Sequence, residues 1–276
     1  MSLTCYRIHA FTQDPFGGNP ACVIPMVSWP EDTWMLRMAQ EMAVAETAYI
    51  VPTPDDPEAE FHLRWFTPDI EMDLCGHATL ASAHTVLHHL TPAATAVRFR
   101  SASGILTVRK TDDGRLEMDL PSRPPKPAKL PDPIGNALNH APIEVLKARD
   151  LVLVYPDQAT LDDIRIDREE FDKINLGHGG VIVTAPGDHV DFVSRFFTPQ
   201  ATILEDPVTG SAHCSLIPYW NTRTGKTTFE AEQRSVRRGQ LHCTLAGDRV
   251  LVRGHSLTFS AATLSDFSVH LNIQIG

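Results

Sequence analysis

The sequence predicts an α+β protein built from two pseudo-symmetric halves. Three observations carry this: a motif that occurs twice, a proline-rich break between its copies, and the same alternation of short strands and helices on either side. Phe61-His62-Leu63-Arg64-Trp65-Phe66-Thr67-Pro68 matches Phe192-Val193-Ser194-Arg195-Phe196-Phe197-Thr198-Pro199, with five of eight positions identical. Upstream, Ile50-Val51 aligns with Ile182-Val183. Downstream, each copy passes through an acidic loop into a glycine-containing helix start, Asp73-Leu74-Cys75-Gly76-His77-Ala78 and Glu205-Asp206-Pro207-Val208-Thr209-Gly210-Ser211-Ala212. Two copies are too few for a solenoid and fit a pair facing each other across a cleft.

Taken in order, residues 4–9 and 21–26 read as strands flanking a Gly-Gly-Asn-Pro turn at 17–20. A helix is expected over 31–43, capped by Asp32 or Thr33, with Trp34, Met38 and Met42 on one face. Strands follow at 46–52 and 60–66, then a helix at 77–89 carrying Leu80, Ala83, Val86 and Leu87. Strands at 96–100, 104–110 and 115–119 complete the first half. Residues 121–134 hold six prolines. Proline lacks a ladder donor and fixes φ, so this stretch is read as neither helix nor inner strand. It divides a domain at 1–120 from one at 135–264, with 265–276 as a tail. The second half reads as helix 135–140, strand 150–155, helix 160–164, strands 180–185 and 190–197, helix 210–221, and strands 240–246, 248–253 and 256–260.

Composition narrows the function classes. The chain has 276 residues, long enough for two domains of ordinary size. A formal charge of −10 disfavours general binding to nucleic acid, whose phosphates need a positive surface. No apolar run approaches the roughly 18–20 residues of a membrane helix, and no basic region followed by an apolar stretch marks a secretory signal. Five scattered cysteines without a CxxC pattern argue against a disulfide framework or structural zinc and fit a reducing, cytoplasmic setting.

The chemistry is expected at the two helix starts. The first turn of a helix has unpaired N–H groups and the positive end of the dipole, and small residues there let an anion approach. Gly76-His77-Ala78-Thr79 and Thr209-Gly210-Ser211-Ala212 both have that character, so a shared cleft would hold a carboxylate.

The segments Phe11-Thr-Gln-Asp-Pro-Phe-Gly-Gly-Asn-Pro-Ala21, Glu46-Thr-Ala-Tyr49, Phe66-Thr-Pro68, Cys75-Gly-His-Ala-Thr79 and Asp206-Pro-Val-Thr-Gly-Ser-Ala-His-Cys214 together resemble the phenazine-biosynthesis PhzF-like family. The resemblance runs to about residue 260 and is carried by the order of the motifs rather than by any one. It implies the diaminopimelate epimerase fold: two similar domains, each a curved mixed sheet around a central helix, with the active site between them. It also implies a homodimer, no cofactor, a small carboxylate-bearing substrate and, in the tail at 265–276, a strand that returns to the first domain.

Carried over residue by residue, the resemblance makes Glu46 the catalytic glutamate, His77 and Gly76 the cleft histidine and its preceding glycine, and Asp206, Gly210 and Ser211 the second helix-start set. Asn19 is expected near the substrate or holding its loop. The chemistry is coherent in itself: removing a proton from carbon needs a nearby base and stabilisation of the enolate that forms. Glu46 would take and return the proton, His77 and the helix-end N–H groups would spread the charge, and Asp206 would bind a substrate amine or hydroxyl or move a second proton.

Racemases of the implied fold use two thiols, one at each helix start. Cys75 occupies the first place and Pro207 is read at the second, so a two-thiol racemase is disfavoured. His84, His88 and His89 share a helix without an HExxH pattern, and no metal site is assigned. No dinucleotide loop or nucleophile elbow is present. The expected function is a cofactor-independent isomerase moving a proton between carbons. The alternatives are a non-catalytic small-molecule-binding or interaction protein of the same fold, and an epimerase or racemase using Cys75.

Overall fold

Duplication is visible strand by strand in the computed structural model, which describes residues 3–264. The first half comprises β1 (Leu3–Ala10), β2 (Asn19–Pro25), α1 (Asp32–Met42), β3 (Glu46–Pro52), β4 (Phe61–Phe66) and β5 (Glu71–Met72). It continues with α2 (Gly76–Thr85), extended by a π-helical turn over Val86–Leu90, then β6 (Ala96–Ser101), β7 (Gly104–Lys110) and β8 (Leu116–Pro121). A bridging segment holds β9 (Lys126–Pro127) and α3 (Asp132–Ala137). The second half runs β10 (Glu144–Lys147), β11 (Leu151–Val154), α4 (Gln158–Asp162), α5 (Arg168–Phe171), β12 (Val181–Pro186), β13 (Phe192–Phe197) and β14 (Glu205–Asp206). A 3₁₀ turn at Gly210–Ala212 leads into α6 (His213–Thr224), β15 (Thr228–Gln233), β16 (Gly239–Ala246), β17 (Arg249–Gly254) and β18 (Ser256–Leu264).

The pairings repeat. In the first half β1–β2 is antiparallel, β2–β3 parallel, β3–β4 antiparallel, β4–β6 parallel, and β6–β7–β8 antiparallel. The second half repeats this order with β10–β11, β11–β12, β12–β13, β13–β15 and β15–β16–β17. The halves join where β8 pairs antiparallel with β17. Each half then sends a strand across: β9 pairs with β10, and β18 pairs with β1 along its whole length. The sequence places a strand over 256–260 without its partner; the pairing shows it returning to the first half. The expected tail at 265–276 lies outside the described residues.

Register corrects two sequence-based correspondences. Thr47 faces Phe66 and Val181 faces Phe197, which aligns Ile50-Val51 with Thr184-Ala185 rather than Ile182-Val183. A two-residue slide keeps the same strand face buried, so apolar pattern alone does not detect it. Likewise Phe66 faces Glu71 and Phe197 faces Glu205. Counting on from there, Gly76 matches Gly210, and the counterpart of Cys75 is Thr209, not Pro207.

Six elements escaped the sequence reading: the two-residue strands β5, β9 and β14, and β10, α5 and β15. In β15, Phe229, Ala231 and Gln233 point inward, but Thr-Phe-Glu-Ala-Glu-Gln is poor in β-branched residues and reads weakly as strand. The helix expected at 135–140 begins at Asp132 instead, with Pro133 in its first turn, where a missing N–H costs nothing.

The two central helices set the core. All ten residues of α2 are buried. Its hydroxyls Thr79, Ser82 and Thr85 are satisfied by donating to the carbonyls of Cys75, Ala78 and Ala81. The helix expected at 210–221 is offset, with α6 beginning at His213 and Pro218 inside it. Proline cannot donate to the carbonyl four residues back, that of Cys214. The Arg123 backbone N–H fills that place at 2.8 Å, tying the bridging segment to α6.

The helix starts meet at two glycines. A Cβ on Gly76 would lie 3.0 Å from both Gly210 Cα and Ser211 N, and one on Gly210 would lie 3.1 Å from the Phe11 ring. These neighbours are backbone or a fully buried ring, so neither yields cheaply. Gly76→Ala should therefore lower unfolding stability by about 1–3 kcal/mol, the usual cost of overpacking. Equilibrium urea unfolding measures it; a variant as stable as the wild type would mean that the helix starts are not tightly apposed.

Candidate active site

Parallel pairing of β2 with β3 places Ala21 opposite Glu46, so Asn19 and Glu46 emerge at neighbouring strand starts beside the beginning of α2. From the other half, Asp206 closes β14 and Ser211 sits in the turn that opens α6. Between them lies a cleft of about 260 Å³, lined by both helix starts and by the loops that follow each Phe-Thr-Pro motif. Asp69 from one loop accepts hydrogen bonds from the Thr202 amide (2.9 Å) and hydroxyl (2.7 Å) of the other.

The structure brings together all seven residues singled out by sequence. His77 is buried, with Nε2 2.9 Å from Glu46 Oε2. This is an ion-pair distance without the alignment of an N–H···O bond, so neither atom has a hydrogen-bond partner. On the other side of the ring, Nδ1 lies 2.9 Å from Asn19 Nδ2 and 3.6 Å from Cys75 Sγ. Asn19 Nδ2 also donates to Asp206 Oδ1 (2.6 Å) and to the Val208 carbonyl (2.9 Å), linking the halves. Asp206 accepts further from Thr209 Oγ1. Gln233 donates to the Asp206 carbonyl and accepts from the Thr209 amide, both at 2.7 Å, fixing the backbone on which Asp206 and Gly210 sit.

The electrostatics follow from burial in a shared space. Burial opposes charge on His77, but Cys75 and Glu46 outweigh it and raise the imidazole well above the ordinary histidine range. Burial pushes the Cys75 thiol up to about 11, so near neutral pH the sulfur is protonated. Burial also raises the Asp206 carboxyl; the Glu46 charge adds to this, while His77, Thr209 and Asn19 pull the other way.

Glu46, Cys75 and His77 offer ligand atoms within 4.8 Å of one another. However, the ring nitrogen nearest Cys75 is not the one nearest Glu46. The histidines of the first half's central helix serve the fold instead: His84 contacts Ser256 and Thr258, and His89 contacts Thr258, fastening β18.

Sequence reasoning missed Arg149, which lines the cleft between β10 and β11 and lies 3.3 Å from Ser211 Oγ. The available signal was its position: an arginine two residues before a fully apolar strand, at the repeat position near that of Asn19.

Residues 8–262 match the family model described as phenazine biosynthesis-like protein (PhzC-PhzF). An uncharacterised isomerase of Pseudomonas aeruginosa is 43% identical over 265 residues, covering 96% of this chain and 99% of the relative. The crystal structure of a PhzF-family phenazine biosynthesis protein from Enterococcus faecalis superposes with a TM-score of 0.87 at 39% identity, covering 96% of this chain and 99% of that one. A hydroxyproline epimerase from Agrobacterium vitis shares the fold at a TM-score of 0.63 and 10% identity, covering 98% of this chain and 94% of that one.

The raised Asp206 carboxyl predicts a pH-dependent stability. Above its unfolded value near 3.8, the native state holds the proton longer than the unfolded chain, so stability is lost as the pH rises through that window. Asp206→Asn removes this loss. Relative to wild type, the variant should gain stability between pH 4 and pH 8, as read from urea unfolding at both; a pH-independent difference would contradict the assignment.

Proposed function

The chain belongs to the phenazine biosynthesis-like (PhzF-like) family, and from that premise we propose that it is an isomerase that moves a proton between carbons of a small carboxylate-bearing substrate, with Glu46 as the base. The observation that carries this reading is the setting of Glu46: its carboxylate lines the cleft 2.9 Å from a buried imidazole, beside two helix starts.

In the proposed mechanism Glu46 removes a proton from a substrate carbon. The resulting negative charge spreads toward the N–H groups of Gly76, His77, Gly210 and Ser211 and toward the His77 imidazole. Asn19 holds His77 and Asp206 in register. Asp206, kept protonated more readily than an exposed carboxyl, donates to or receives from a substrate heteroatom. Glu46 then delivers its proton to another carbon.

A one-base path is favoured over a two-thiol path. Cys75 has a protonated sulfur near neutral pH, and its counterpart Thr209 bears a hydroxyl engaged with Asp206. The same reading includes a cytoplasmic homodimer working without a cofactor. Five free, buried cysteines are compatible with a reducing compartment. Among the described residues, no helix is long and apolar enough to cross a membrane.

Glu46→Gln keeps size and polarity but removes the base. Wild type and variant incubated with a panel of small unsaturated and α-amino or α-hydroxy acids in D₂O should differ in deuterium incorporation by about 10²–10⁴-fold, the usual contribution of a positioned base. Nuclear magnetic resonance of the acids reads the exchange. Equal exchange by both proteins would remove Glu46 from the mechanism, whereas no exchange by the wild type with any acid would favour the binding-protein alternative.

A further inference from the structure

The cleft is lined by three carboxylates, Glu46, Asp69 and Asp206. An acidic substrate entering it meets like charge, in a chain whose formal charge is already −10. Burial makes that repulsion costlier than it would be in water. Helix-end dipoles contribute only partial charges, and the charge of His77 is matched by Glu46 at 2.9 Å. Among the described residues, Arg149 is the one arginine or lysine lining the cleft.

The guanidinium of Arg149 is held ready. Nε faces the Asp150 carboxylate at 3.3 and 3.4 Å, and Asp150 is itself locked by the Gly180 backbone N–H at 2.9 Å. This pairing occupies the Nε edge and leaves the Nη1 and Nη2 end for other partners. Nη2 makes only a long contact, 3.3 Å to Ser211 Oγ at the second helix start. Nη1 is buried without a partner. A buried guanidinium hydrogen left unpaired is costly, and the planar Nη pair fits the two oxygens of a carboxylate.

We propose that Arg149 is the specificity-determining residue of the cleft, its guanidinium binding the substrate's carboxylate beside Ser211 and so selecting acids over their neutral amides. This deepens the reading of the cleft as the substrate site. It places the acid group against the second half, with the reacting carbons turned toward Glu46 in the first. Asp150 is then a positioning residue, acting through the orientation of Arg149.

The test uses benzoate and crotonate as probes, each paired with its amide, with affinities measured by isothermal titration calorimetry. Wild type should bind the acids more tightly than the amides. Arg149→Gln should weaken acid binding by about 10–100-fold, the usual value of a charge-assisted hydrogen bond, and leave amide binding unchanged. Added guanidinium should restore acid binding to Arg149→Ala, a rescue that a merely structural arginine would not show. Thermal melting confirms that the variants fold. Acid selectivity lost in Arg149→Gln, combined with no deuterium exchange by the wild type, would uphold this assignment while removing the isomerase reading. No acid binding by the wild type, equal affinity for acid and amide, or unchanged acid affinity in Arg149→Gln would overturn it.

Discussion

The close approach of Gly76 to Gly210 is the constraint on which the site depends. Each glycine opens the central helix of its half, and a Cβ at Gly76 would meet backbone of the other half at 3.0 Å. Apposition of the two helix starts brings their unpaired N–H groups into one space, and the proposed substrate site rests on that geometry. It also brings Asp206, from the second half, within reach of Asn19 and His77, from the first. Separation of the glycines would leave Asn19 unable to bridge the halves.

Asn19 shows how tightly this junction is specified. Its amide nitrogen has two hydrogens and three acceptors within 2.9 Å: Asp206 Oδ1, the Val208 carbonyl and His77 Nδ1. Two acceptors lie in the second half, so the amide is oriented by the interface rather than by its own strand. His77 Nδ1 competes for the remaining capacity, and the state of its ring is therefore coupled to the interface as well as to Glu46. Duplication has left the halves chemically unequal. Glu46 begins β3, while the corresponding strand β12 is preceded by Gly180, which carries no side chain and gives its N–H to Asp150. Cys75 faces Thr209 across the pseudo-symmetry. The first half thus carries the carboxylate–imidazole pair, and the second carries Arg149, Asp206 and a serine.

Much of this was legible in the sequence because duplication leaves local marks. The repeated Phe-Thr-Pro motif and the glycines after each acidic loop located both helix starts, and every residue chosen from the motifs lines or adjoins the cleft. Register was not legible, because strands slid by two residues expose the same faces; the match of Pro207 with Cys75 failed for another reason, the loop from Phe197 to Glu205 being three residues longer than that from Phe66 to Glu71. Arg149 was hidden for a different reason. The role proposed for it rests on a charge balance among residues distant in sequence, and no spacing rule links position 149 to 46, 69 and 206. The pairing of β18 with β1 was equally invisible, since nothing in Ser256–Leu264 distinguishes one edge of the sheet from another.

The central claim is that a single carboxylate carries a proton from one carbon to another. A single turnover in ordinary water, using an accepted acid deuterated at the carbon that loses its proton, tests it directly. With Glu46 enclosed and its side chain only 12% exposed, part of the deuterium should return to the product at the new carbon before solvent replaces it. Complete loss of the label to solvent, with unlabelled product from the first turnover, would contradict a one-base transfer.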